Sequence, residues 1–147
     1  MRPHTLPILL TLFAIAADSP TNQAAQKEMK KLEGAWSMVS LEVNANLTSE
    51  EDAKNFKLEV AGDKWNVSIN DHTIEATYRV DPTKSPKEID LTYLEGPIKG
   101  QPIAGIYLLE GDTLKMCRCQ EPNKDRPTEF ATLAGSGLLL VVWKRVK

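Results

Sequence analysis

Residues 56–80 read FKLEVAGDKWNVSINDHTIEATYRV. Phe56, Leu58 and Val60 alternate with Lys57 and Glu59; Trp65, Val67 and Ile69 alternate with Lys64, Asn66 and Ser68. Ile74, Ala76, Tyr78 and Val80 then alternate with Thr73, Glu75, Thr77 and Arg79. A period of two places one apolar and one wet face on each segment, which is the pattern of a half-buried β-strand. Gly62-Asp63 and Asn70-Asp71 separate the runs and supply turn chemistry. These 25 residues therefore predict a β-meander, and they exclude a parallel α/β sheet, whose strands are apolar on both sides.

The pattern continues outward. Ile89, Leu91 and Tyr93 alternate with Glu88, Asp90 and Thr92, and further turns stand at Asp81-Pro82, Gly96-Pro97 and Gly111-Asp112. Strands at roughly ten-residue spacing predict an all-β barrel or sandwich. Ile103 to Leu109 and Leu138 to Trp143 are apolar on both faces, so their outer sides need cover. Upstream, Asn22 to Leu32 has helix-forming composition, with Ala25, Met29 and Leu32 on one face and Gly34 as the stop. That helix is expected either to cover one of the two-faced strands or to close an end of the barrel. Thr48-Ser49-Glu50-Glu51 fits a capping box and predicts one helical turn in the first connection.

The whole chain has 147 residues, is 41% hydrophobic and 26% charged, and carries a formal net charge of -2. That is one domain. It is too short for a two-domain nucleotide-dependent enzyme, and a pI near 5.7 gives no footprint for nucleic acid. Arg2 and His4 precede an apolar run from Leu6 to Ala17 that ends in the small-residue pattern Ala14-Ile15-Ala16. Residues 1–17 thus read as a signal peptide, too short for a membrane span, with residues 18–147 as a single secreted or periplasmic domain. No cysteine stands near the cleavage point to carry a lipid anchor.

Leu32-Glu33-Gly34-Ala35-Trp36 opens the first strand, and Val142-Trp143-Lys144-Arg145 ends the last. This resembles the calycin arrangement, in which a Gly-x-Trp on the first strand meets a basic residue of the last strand at the closed end of a barrel. Further pieces are Ile89-Asp90-Leu91-Thr92, Gly105-Ile106-Tyr107, Gly111-Asp112-Thr113-Leu114 with Cys117, and Arg126-Pro127-Thr128-Glu129-Phe130. Over about residues 28–145 the chain is similar to a family of exported, lipocalin-like domains of unknown function found in planctomycete bacteria. The resemblance implies export and a fold: an antiparallel, lipocalin-like up-and-down β-barrel of about eight strands with one N-terminal helix. It implies no chemistry. Gly34, Trp36 and Arg145 are structural candidates. A guanidinium stacked on Trp36 would staple the first strand to the last; alternatively Trp36 is plain core and Arg145 a solvated terminal residue.

Candidates for chemistry are few. Cys117 and Cys119 share a strand face roughly 6.5–7 Å apart at Cα. A bridge there would be strained, and zinc would lack ligands, since His72 is remote in sequence. The alternative is two small half-buried or exposed strand residues. Asp71-His72 could be half of an acid–base pair, but it sits in turn chemistry with no nucleophile beside it. No G-x-S-x-G, P-loop or G-x-G-x-x-G occurs. The expectation is no enzyme, no metal and no cofactor. Leu114, Met116 and Arg118 share one face, so a lumen-facing stripe would put Arg118 at the barrel mouth to meet a carboxylate or other anion, unless a bulge turns it outward.

The apolar set facing inward would present Phe56, Trp65, Tyr78, Tyr93, Met116 and Arg118 as lumen candidates for a ligand. Two functions follow. One is an exported binding protein, a monomer, holding a small apolar or amphipathic molecule in the barrel. The other is a solid-core structural or interaction domain that docks on an envelope protein through the loops Gln120 to Pro127 and Gly96 to Gln101. Small barrels are either filled by side chains or hold one small ligand, and the sequence leaves both open.

Overall fold

The computed structural model describes residues 20–147; the signal-peptide expectation for residues 1–17 lies outside them. Helix α1 (Pro20–Leu32) leads into β1 (Gly34–Val43) and the short β2 (Asn46–Leu47), and α2 (Glu50–Ala53) follows. Seven more strands complete the chain: β3 (Phe56–Ala61), β4 (Lys64–Ile69), β5 (His72–Asp81), β6 (Lys87–Tyr93), β7 (Pro102–Glu110), β8 (Thr113–Cys119) and β9 (Leu138–Arg145). Every pairing is antiparallel, β3 to β9 run in chain order, and β9 returns to pair with β1. The eight-strand ring is β1 with β3 to β9. β2 is an extra strand on the second half of β1, whose first half pairs with β3.

Register carries the apolar alternation into the ring. Partners on adjacent strands share a face, so Leu58↔Val67, Trp65↔Ala76, Tyr78↔Leu91, Tyr107↔Met116 and Leu114↔Trp143 build one continuous interior. The turns that allow this register use left-handed backbone at Gly62 and Gly111, and at Asn70, a residue type that tolerates it. One irregularity interrupts β1. Met38 pairs with Trp143 and Ser40 with Val142, leaving Val39 as a bulge residue, 46% exposed. The bulge brings Met38 and Leu41, three apart, onto the same lining.

One end is closed by α1. Ala25 and Met29 pack on the core, Leu32 is fully buried, and Trp36 donates its indole N–H to the Leu32 carbonyl at 3.0 Å. Arg145 lies over the Trp36 ring, 4.2 Å from its centroid. Its guanidinium also donates to the carbonyls of Glu33 at 2.6 Å and Lys31 at 2.8 Å, and meets Asp112 at 3.4 Å. A cation thus satisfies carbonyls left open at the helix C-terminus. Gly34 has φ +134°, and a Cβ there would lie 2.9 Å from the Arg145 Nη1, so both backbone and space demand glycine. Below the helix, Glu28 is buried and accepts from Lys87 at 2.8 Å and from the Tyr107 hydroxyl at 3.2 Å. Burial raises the Glu28 pKa, but Lys87, Tyr107 and Lys31 outweigh it, and the carboxyl titrates below the ordinary glutamate value of 4.5.

One alternative is selected and one expectation corrected. The helix closes an end, as the second alternative had it, and is not the lid of the two-faced strands. The outer face of β7 to β9 is covered by the flap of residues 120–137, with Ile106, Cys117, Cys119, Pro127 and Thr132 buried between. The flap is the better cover because it leaves β8 and re-enters β9 beside that face. Second, the short helix is capped by Ser49, whose side chain accepts from the Asp52 N–H, one residue later than the capping box placed it.

Two predictions arise from the closed end. Arg145→Met removes the stacking and the charge-assisted bonds to the helix carbonyls, so urea unfolding should show a loss of about 2–4 kcal/mol; Arg145→Lys should recover only part of it, since an ammonium lacks the fork. For Glu28, whose folded pKa is depressed, the stabilisation is complete above 4.5 and vanishes as pH falls through the folded value. Thermal melts from pH 7 to 3 should show this loss for the native chain and a shallower pH slope for Glu28→Gln, which at neutral pH costs about 1–3 kcal/mol.

Candidate functional site

The other end of the barrel is open, and its interior is not filled. A cavity of about 210 Å³ lies there. Its walls come from every strand of the ring except β7: Met38 and Leu41 of β1, Phe56 of β3, Trp65, Val67 and Ile69 of β4, Ile74 of β5, Leu91 and Tyr93 of β6, Met116 and Arg118 of β8, and Leu139, Val141 and Trp143 of β9. Fourteen side chains line it, and only Arg118 is charged.

Arg118 stands in the row Gly105↔Arg118↔Leu139. It is half-buried and faces the lumen, not the solvent. Gly105 makes this possible, because a Cβ there would come within 2.8 Å of the Arg118 Cβ and 3.0 Å of the Cys117 carbonyl oxygen. The guanidinium donates to the Cys119 carbonyl at 2.9 Å and to the Tyr93 hydroxyl at 2.9 Å, and sits 5.9 Å from the Tyr93 ring centroid. No carboxylate among the described residues pairs with it. Trp143 also lines the cavity. It is only 2% exposed, and its buried indole N–H has no acceptor among the described residues. A buried donor left unpaired is costly and uncommon.

Five of the six lumen candidates therefore come together: Phe56, Trp65, Tyr93, Met116 and Arg118. Tyr78 stands apart. It is buried towards the closed end, its ring 5.4 Å from that of Trp65, its hydroxyl 3.5 Å from the Met29 carbonyl. Burial, and then Glu33 and Asp63, raise its pKa. Leu41, Leu139, Val141 and Trp143 were not singled out from sequence. The doubly apolar run of β9 hides its parity, but an inward Arg145 fixes it: Trp143, Val141 and Leu139 follow at intervals of two.

Other sites are weaker. A larger recess of about 720 Å³ lies under the flap, walled by residues such as Lys124, Asp125, Arg126, Thr128 and Glu129. It lacks the continuous apolar wall that holds small molecules. Arg126 is fully engaged there, donating to the carbonyls of Ile89 at 3.0 Å and Gly105 at 2.8 Å and to Asp90 at 2.7 Å. The segment Gln120 to Pro127 is thus partly tied to the barrel wall. His72 is exposed on a hairpin. Among the described residues no three His, Cys, Asp or Glu side chains are grouped to hold a metal, and no helix is long and apolar enough to cross a membrane. Compared with family models, with curated proteins and with solved structures, the chain gives no match.

Cys117 and Cys119 are free thiols buried on the outer face, not half-exposed. Cys117 donates to the Ala131 carbonyl at 3.7 Å and Cys119 to the Asp125 carbonyl at 3.2 Å. Burial pushes both thiols up; for Cys119 the charges of Arg126 and Arg118 oppose this without cancelling it. Both should react with Ellman's reagent in the native state on the order of 100-fold more slowly than in urea-unfolded chain. Rapid stoichiometric reaction of native protein would contradict this burial.

Proposed function

We propose that the chain is an exported binding protein of calycin type, which holds one small apolar or amphipathic molecule in the open end of its barrel. The observation that carries the reading is the cavity of about 210 Å³ with apolar walls and a single charged group. An engineered apolar cavity of about 150 Å³ stays dry and takes up benzene, and ordinary ligand pockets begin near roughly 300 Å³. The occupant is therefore compact: one ring or a short chain. The lining contains no carboxylate, histidine, serine or cysteine, which favours a binder over an enzyme. Export rests on the pattern of residues 1–17 and on the family resemblance.

Trp65 and Trp143 report on the cavity directly. Titration with small benzene derivatives should change tryptophan emission in a saturable way, with Kd on the order of 10–500 μM for a ten-atom ligand. Val67→Phe, which adds volume to the lining, should weaken binding at least about tenfold while the fold persists. No saturable signal from any compact apolar probe would defeat the proposal.

A further inference from the structure

We propose that the ligand of this cavity is a compact monocarboxylate, its carboxylate held by Arg118 and Tyr93 at the mouth and its apolar body against Phe56, Trp65 and Met116. This rests on the binding reading above and names the class of molecule.

The barrel's arginines are unequally paired. Arg126 meets Asp90 at 2.7 Å, and Arg145 meets Asp112 at 3.4 Å. Arg118 is likewise half-buried, yet its protein partners are a neutral carbonyl and a neutral hydroxyl. A guanidinium carries five N–H donors in a planar fork that matches a carboxylate. Holding such a group half-buried without a counter-charge costs desolvation energy, and the chain goes further by keeping Gly105 opposite, where no side chain fits. An anion at the mouth recovers that cost through charge-assisted bonds. Tyr93 places its hydroxyl 2.9 Å from the same guanidinium, so one carboxylate can accept from both.

Charge selects carboxylate over phosphate. Arg118 is the sole cation among the lining residues, which matches one negative charge and leaves a dianion half-neutralised. Volume selects size. About 210 Å³ accommodates a phenyl ring with a two- or three-carbon acid arm, not a long acyl chain.

The test compares 3-phenylpropanoate with 3-phenylpropan-1-ol at pH 7 on the chain, read by tryptophan emission and calorimetry. The acid should bind at least about tenfold more tightly. Arg118→Met should erase that preference, so that acid and alcohol bind within about twofold of one another, and Arg118→Lys should keep part of it. Tyr93→Phe, which deletes only a hydroxyl, should lower acid affinity about threefold and serves if Arg118→Met does not fold. Equal binding of acid and alcohol, or a preference that survives Arg118→Met, overturns the carboxylate assignment and leaves the cavity reading standing. Binding of neither overturns both.

Discussion

The seam between β1 and β9 governs this molecule. An open eight-strand meander would expose two long edges and could not enclose its apolar face. Closure satisfies both edges, and it joins segments about a hundred residues apart in sequence. Chain entropy opposes such a contact. The structure meets that cost with side chains at one end of the seam: Arg145 stacks on Trp36, binds the carbonyls that end α1 and reaches Asp112 in the β7–β8 turn. Helix, first strand, last strand and a turn are thereby joined through one guanidinium. The bulge at Val39 belongs to the same seam and turns Leu41 back inside.

The two ends of the barrel follow opposite electrostatic rules. At the closed end, each buried polar group has a partner: Glu28 has Lys87 and Tyr107, Trp36 has the Leu32 carbonyl, and Tyr78 has the Met29 carbonyl. Such an end is finished and has nothing left to bind. At the open end a half-buried guanidinium has no carboxylate partner among the described residues and faces an apolar cavity. A charge without a counter-charge beside a void marks a recognition site, because buried charges are otherwise paired. The contrast within one barrel carries more weight than either end alone.

Much of this was legible in residues. Period-two alternation from Phe56 to Tyr93 fixed strands and inner face, because one-sided burial leaves a strong pattern; it left barrel and sandwich open, and the closed up-and-down order was what the resemblance implied. Leu114 and Met116, four and two residues before Arg118, placed it on their face, with a rim position or an outward bulge as the alternative. What escaped has physical reasons. Glu28 reads as solvated helix surface, although it lies four residues before Leu32 on the face that turns inward; a carboxylate inside is legible only with its Lys87, 59 residues away. The flap has no periodicity, so its cover of Cys117 and Cys119 could not be read, and the thiols looked half-buried or exposed. The cavity itself is a difference between barrel volume and side-chain volume, a quantity that no local pattern encodes.

A crystal of the chain exposed to xenon under pressure tests the central claim most directly, since xenon enters dry apolar voids without needing a polar partner. A xenon peak inside the open end, within contact distance of Trp65, Val67 and Met116, is the expected result. A barrel whose side chains have collapsed into that space, with no xenon bound there, would contradict the account.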